Sequence, residues 1–151
     1  MNITDVLVND VRFPTSLQGD GSDAMHTDPD YSCAYVRIIV SGTKIQGHGH
    51  TFTIGRGTEV VVAAVHALRP FVLKRDFNWI TSNWSQFWRE LTSESQLRWI
   101  GPEKGAIHLA TAAIVNALWD LWAKIEGKPL WKMLVDMEPE TLANVIDYRY
   151  M

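Results

Sequence analysis

A change in hydrophobic period at Thr58 sets the order of strands and helices in this chain. Before Thr58 lie three β-like runs, the first of them with the alternating pattern of a strand. After it, Val61, Val65, Leu68 and Val72 recur at intervals of three and four, the spacing of one face of an amphipathic helix. Strands followed by helices predict an α+β fold. The three runs are Ile3–Phe13, Cys33–Val40 and Ile45–Ile54.

The connections between the strand-like runs differ greatly in length. Ser41-Gly42-Thr43 is a short turn, so the second and third runs are expected to pair as an antiparallel hairpin within a three-stranded meander. The first connection, QGDGSDAMHTDPDYS from Gln18 to Ser32, has fifteen residues, most of them polar or turn-forming, whereas a hairpin loop needs roughly two to five. Its length is not explained by chain connection alone.

The helical half is predicted to be a bundle around one long helix. Thr58 is a plausible N-cap for the first helix, and Ser82 or Asn83 could cap a second helical piece from Trp79 to Leu91. The long helix is apolar on most sides, so we expect it to be buried against several neighbours. It is predicted from about Glu103 to Glu126, with short helices over Pro129–Leu134 and Pro139–Asn144 after it.

The end of the chain, Val145–Met151, has the pattern of a new strand. We therefore divide the sequence into residues 1–144, an N-terminal domain with its linker helices, and residues 145–151, the start of a further strand. With 46% hydrophobic and 21% charged residues, the chain has the composition of one soluble globular domain.

Composition and charge also bear on partners and location. A net charge of −3 argues against a nucleic-acid partner. The apolar stretch Ala106–Ile125 is interrupted by polar residues, which favours a buried helix over a membrane span. A lone Cys33 cannot form an internal disulfide, and the first residues lack the pattern of a signal peptide or transit sequence. An intracellular protein is expected.

The acidic loop raises the question of calcium, which its spacing does not support. A calcium-binding loop needs Gly at its sixth position and Glu at its twelfth, but counting from Asp20 these positions hold Met25 and Tyr31. The remaining general interpretation is a solvated acidic loop. His26, between Asp23 and Asp28, could titrate or take part in acid–base chemistry, although no partner group can be assigned to it from the sequence.

Three other motifs have a functional and a structural interpretation. His48 and His50 would share one face of a strand and could hold a metal, but no third ligand is evident nearby. Residues 55–57, Gly-Arg-Gly before a helix, could bind an anion or form an ordinary strand-to-helix turn. Trp119 and Trp122 could form an aromatic ligand site, but their helix of Ala, Ile, Leu and Val favours core packing.

The segment NALWDLWAKIEGKPLWKML, Asn116–Leu134, resembles the helical signature that joins the capping domain to the barrel in the enolase superfamily. Together with four other motifs it resembles the L-fuconate dehydratase family within that superfamily, including the animal mitochondrial members. These motifs span Asn9 to Tyr150. They are VRFPTSLQGDGSDAMHTDPDYS, FTIGRGTEVVVAAVHAL, SQLRWIGPEKG and IDYRY.

The resemblance implies an enolase-type N-terminal capping domain, a three-stranded meander and helical bundle, followed in full-length members by a (β/α) barrel. There the barrel carries three carboxylates that bind Mg²⁺, a lysine and a histidine, and a hydro-lyase reaction converts L-fuconate to 2-keto-3-deoxy-L-fuconate by α-proton abstraction and β-elimination. This sequence ends where the first barrel strand would begin. The resemblance therefore implies no catalytic residue and no metal ligand in this chain, no Mg²⁺ bound by it alone, and no activity alone.

The same resemblance assigns the long loop a function. In the family this loop closes over the active site, and Gly21, Ser22, Asp23 and Tyr31 would line the distal end of the sugar acid. Asp23 has the strongest chemical case, because a carboxylate can accept hydrogen bonds from two sugar hydroxyls. The glycine-rich segment Gly47–Gly57 corresponds to a second loop near the pocket, to which no contact is assigned.

The implied partner is a sugar acid of the L-fuconate class, with neither nucleic acid nor membrane, and a mitochondrial location. A homo-oligomer formed through the cap or the barrel of the full-length form is compatible with the resemblance. Two alternatives stay open: a non-catalytic binding or interaction protein that reuses the cap fold, and a dehydratase for another acid sugar.

Overall fold

The computed structural model describes residues 1–73 and 75–149. Within these residues three strands come first and six α-helices follow, which confirms the predicted order. The strands are β1 (Ile3–Arg12), β2 (Ser32–Val40) and β3 (Gln46–Thr53); the helices are α1 (Thr58–Leu73), α2 (Phe77–Ser82), α3 (Trp84–Thr92), α4 (Ala106–Ile125), α5 (Leu130–Asp136) and α6 (Pro139–Ala143), and short 3₁₀ turns occupy Thr15–Gln18 and Arg98–Ile100.

The strands form one antiparallel sheet in the order β1-β2-β3, which confirms the meander. Val6 is paired with Ile38 and Val36 with Gly49, so the apolar side chains of the three strands share one face. Val6, Val36 and Ile38 are fully buried there beneath α1 and α4. The core therefore lies between one face of the sheet and the helices.

The longest helix, α4, lies directly on β3, as its apolar composition predicts. A Cβ atom added to Gly47 would lie 2.1 Å from the carbonyl oxygen of Ala117, and one added to Gly49 would lie 2.3 Å from that of Ala113. The two glycines therefore allow the helix backbone to approach the strand. By length and composition α4 could also cross a membrane, but 56% of its most apolar 18-residue window is buried inside the protein.

Side chains of α4 also bind the outer edge of β3. Asp120 accepts a hydrogen bond of 2.7 Å from the His48 amide, and Lys124 donates one of 3.1 Å to the carbonyl of Gln46. Asp120 and Lys124 are also paired with each other across one helical turn. β3 is an edge strand that pairs with β2 along one edge. Along its other edge, Asp120 and Lys124 bind backbone groups that a fourth strand would otherwise bind.

The second helical segment, Trp79–Leu91 in the prediction, forms two helices that are divided at Asn83. Asp76 caps α2, since its carboxylate accepts from the amides of Asn78 and Trp79. Asn83 then separates α2 from α3 without a side-chain capping bond. The start of α4 was predicted three residues too early, because Lys104 has a left-handed φ of 66° and cannot continue a helix.

Residues 145–149 are not part of a strand in the described structure, so the expected strand start at residues 145–151 stays a prediction. Residues 145–149 form a turn and an irregular segment, and residues 150 and 151 lie outside the described residues. A strand requires a neighbour that supplies backbone hydrogen bonds, and Asp147 is instead held by ion pairs of 2.6 Å with Arg89 on α3 and with Arg149. The division at residue 145 remains a prediction.

Tryptophans of α3 and α4 pack together beside this segment. Trp119 and Trp122 are stacked with 5.2 Å between ring centroids, and Trp84 lies 4.1 Å from Trp119. Trp84 is buried and the other two pack against the core. The core interpretation of these rings is therefore confirmed.

Candidate functional site: the loop between β1 and β2

The base of the β1–β2 loop is cross-linked by short polar side chains. The Thr15 hydroxyl donates to the Pro29 carbonyl at 2.8 Å and accepts the Tyr31 amide at 2.9 Å. The Asp30 carboxylate accepts from the hydroxyl and the amide of Ser16, at 2.6 and 3.2 Å, and these bonds hold the pKa of Asp30 below its ordinary value. The two arms of the loop are therefore joined before the loop reaches its tip.

The second arm of the loop is fixed to the end of β3 and the turn that follows it. The Asp30 amide donates to the Ile54 carbonyl at 3.3 Å, and the rings of Tyr31 and Phe52 meet edge to face with centroids 5.3 Å apart. Arg56 donates to Asp28 at 3.2 Å across exposed surface. Residues 55–57 thus form a strand-to-helix turn whose arginine contacts the loop.

The tip of the loop is organised around Asp23. Its Oδ1 accepts the amides of Met25 and His26, each at 2.7 Å, and the Nδ1 atom of His26 lies 3.2 Å from both carboxylate oxygens. The Asp23 amide in turn donates to the His26 carbonyl at 2.9 Å. The His26 amide first, then the Met25 amide and the imidazole, lower the pKa of Asp23.

Three of the four predicted contact residues surround one cavity of about 290 Å³. Gly21, Asp23 and Tyr31 line it, whereas Ser22 does not, because its hydroxyl donates to the Thr27 carbonyl at 3.1 Å. The remaining lining residues are His26, Pro29, Phe52 and Ile54. The cavity therefore lies between the loop and the end of β3, with polar groups on one side and apolar groups on the other.

Gly21 has a specific steric role in this cavity. Its φ of +73° is in the left-handed region, and a Cβ atom would lie 2.0 Å from the Tyr31 hydroxyl oxygen. Only glycine combines this backbone conformation with such close contact to the tyrosine. The Tyr31 hydroxyl is thereby brought next to the backbone of the loop tip.

Phe52 and Ile54 were not identified as site residues from the sequence. They stand two apart at the end of β3 with 56% and 39% of their surfaces exposed. Polar residues are expected on the outer face of the sheet, so two large apolar residues there, at the end of a strand, could have indicated a site from the sequence. Their role depends on the approach of the loop, which local sequence does not specify.

The other candidate sites have structural explanations. His48 and His50 alternate with the glycines that face α4, and His48 Nδ1 lies 2.7 Å from the Tyr35 hydroxyl. Within residues 1–73 and 75–149, no group of three or more His, Cys, Asp or Glu side chains is arranged to hold a metal ion. Asp28 and Asp30 are engaged by Arg56 and Ser16 respectively.

Comparison with known proteins assigns this architecture to a family. Residues 7–134 match the mandelate racemase / muconate lactonizing enzyme N-terminal domain. The chain belongs to this family and so to the enolase superfamily, as its motifs predicted, and the sheet with its helices is the N-terminal capping domain.

Individual relatives agree with this assignment. Human mitochondrial enolase superfamily member 1 is 61% identical over 150 residues, covering 99% of this chain and 34% of that protein, and its crystal structure superposes with a TM-score of 0.96. L-galactonate dehydratase of Hypocrea jecorina is 49% identical over the whole chain and 33% of its own length. The chain spans about a third of the length of the curated relatives it matches.

A more distant solved structure shares the fold. L-talarate dehydratase from Polaromonas, crystallised with Mg and L-glucarate, superposes with a TM-score of 0.63 at 24% identity and covers 91% of this chain and 33% of that one. At that identity the likeness concerns the fold alone.

Proposed function

We propose that this chain is the capping part of a sugar acid dehydratase, and that the loop Gln18–Ser32 is the lid that selects the substrate. The observation that carries the proposal is the 290 Å³ cavity that joins Gly21, Asp23 and Tyr31 to the end of β3. Membership of the enolase superfamily and a relative named L-galactonate dehydratase support the dehydratase class. The substrate we propose is L-fuconate.

The cavity offers different chemistry on its two sides. The Asp23 carboxylate accepts hydrogen bonds from sugar hydroxyls, and the Tyr31 hydroxyl can both donate and accept. Phe52 and Ile54 present apolar surface that suits the C–H groups and the terminal methyl of a deoxy sugar acid. The lid in this way orients the end of the substrate distant from its carboxylate and excludes water from it.

The proposed reaction uses Mg²⁺, for which residues 1–73 and 75–149 provide no fitting set of ligands. Among the described residues no cluster of carboxylates or histidines is suited to a metal. The ion would be held outside these residues, so the contribution of this chain is substrate binding and orientation. A mitochondrial location is proposed from the names of the relatives.

A chimera tests this function directly. We would replace the matching N-terminal third of the human relative with this chain, and measure Mg²⁺-dependent dehydration of L-fuconate, L-galactonate and L-talarate. We expect turnover with the highest kcat/KM for L-fuconate. The 151-residue chain alone is the negative control, for which we expect no turnover. A folded chimera that dehydrates none of these acids, beside an active parent enzyme, would contradict the proposal.

A further inference from the structure

We infer that His26 is a positioning residue: its imidazole fixes the carboxylate of Asp23 in the orientation in which it binds the sugar acid. The inference rests on the proposed function and adds a residue to which the family resemblance gave no role. His26 also lines the 290 Å³ cavity, beside Asp23.

The geometry distributes the donors unevenly over the two carboxylate oxygens. Oδ1 accepts hydrogen bonds from two backbone amides, each at 2.7 Å, and lies 3.2 Å from Nδ1 of the imidazole. Oδ2 also lies 3.2 Å from this Nδ1 atom, which is its partner among the described residues. The amides hold one oxygen, and the ring then fixes rotation about the last side-chain bond. Oδ2 keeps acceptor capacity for a hydroxyl of the ligand.

The partner atoms also determine the tautomer of His26. An ionised carboxylate only accepts hydrogen bonds, so Nδ1 carries the proton and Nε2 is left for another partner. Asp23 is held in the ionised form by its three donors, which lower its pKa. The pair therefore presents an oriented acceptor to the cavity.

Several charged groups besides Asp23 surround His26 and bear on any pH dependence. They line a second cavity of about 240 Å³, to which His26 also contributes. This cavity lies on the side of the loop that faces β1 and the turn before α1. These groups are Arg12, Asp28, Asp30 and Arg56.

The first test is a pH titration of the Asp23 carboxyl carbon by NMR in the 151-residue chain. In His26→Ala the backbone amides, which are the larger causes of the low pKa of Asp23, remain, so we expect this pKa to rise only in part. His26→Asn places an amide N–H close to the position of Nδ1 and should restore the low value. His50→Ala is the matched control with no expected effect. An unchanged pKa in His26→Ala would overturn the inference.

The second test measures steady-state kinetics in the chimera with L-fuconate. We expect His26→Ala to raise KM about 3- to 10-fold with kcat nearly unchanged, because a ground-state contact is lost, and His26→Asn to recover most of this loss. If Asp23→Asn raises KM and His26→Ala does not, the positioning role is wrong. If Asp23→Asn itself leaves KM unchanged, the proposed function of the lid is wrong instead.

Discussion

Gly47 and Gly49 determine how closely β3 can approach α4. Their neighbours His48 and His50 point to the opposite face of the sheet, so the alternation of glycine and histidine in this segment follows from the period of a strand. The pattern that suggested a metal site thus has a packing explanation. Close contact between β3 and α4 requires that these two positions carry no side chain.

Substitution of Gly49 by Ala tests this explanation. The added Cβ would lie 2.3 Å from the Ala113 carbonyl oxygen and 2.4 Å from the Ala117 amide nitrogen. Both atoms belong to a helix backbone that cannot move alone, so we expect a loss of about 1 to 3 kcal/mol in the free energy of unfolding. Urea denaturation measures it. His50→Ala, on the exposed face, should stay within about 0.5 kcal/mol; equal stability of both variants would contradict the account.

Single residues of the site were predictable to different degrees. Asp23 and Tyr31 could be proposed because the motif around them resembled a family, and the structure places both at one cavity. Ser22 was included with them, yet its hydroxyl is bonded within the loop. Phe52 and Ile54 were missed, because their apolar pair at a strand end lines a cavity only when a distant loop packs against it.

At the scale of whole elements, the segment after α6 is held by charge. Asp147 has a side chain only 6% exposed between Arg89 and Arg149. The Arg89 guanidinium above all lowers the pKa of Asp147 to about 2. Beside this ion pair, Val145 packs near Trp84 and Trp119.

The low pKa predicts a particular pH dependence. A carboxyl whose pKa is depressed in the folded state stabilises that state above its unfolded value, 3.8, and this contribution is lost as the pH falls towards about 2. We expect the difference in unfolding free energy between the wild type and Asp147→Asn to be constant above about pH 5 and to shrink below pH 4. Denaturant titrations at several pH values measure it. A difference that grows on acidification would contradict this assignment.

Helices and strands were predicted where the hydrophobic period is long and regular. The three strands, α1 and α4 were located in this way, with α4 starting three residues later than expected. The division between α2 and α3 lies at Asn83, one of the two cap positions considered, but it was not predicted as a break because Ile80 and Trp84 continue one apolar face across it. The strand start expected at residue 145 stays a prediction, because the described residues place no neighbouring strand beside this segment.

For the whole molecule, one group of exposed apolar residues follows α4. A contiguous apolar patch of this kind is typical of a surface that packs against another part of a protein or a partner. The relatives are about three times as long as this chain, which is consistent with a covered surface in them. These residues are Leu130, Trp131, Val135, Leu142 and Ile146, with exposures between 38% and 73%.

Self-association of the isolated chain tests the nature of this surface. We expect the wild-type chain to self-associate as its concentration rises and to bind an apolar dye. The double variant Trp131→Lys, Val135→Lys should self-associate less and bind less dye. Val60→Lys, at a similarly exposed apolar position on α1, is the control. Sedimentation velocity gives the readout. A stable monomer without dye binding would instead favour a non-catalytic protein that reuses the cap fold.

The loop between β1 and β2 is proposed to select a sugar acid through Asp23. The most direct measurement is the KM for L-fuconate of the chimera carrying Asp23→Asn, compared with Asp20→Asn. Both changes remove one negative charge from the same loop, but only Asp23 lines the cavity. Loss of a charged hydrogen bond costs about 1.5 to 3 kcal/mol, so we predict a rise in KM of about 10- to 100-fold for Asp23→Asn and little change for Asp20→Asn. Equal KM values for the two variants would contradict the claim.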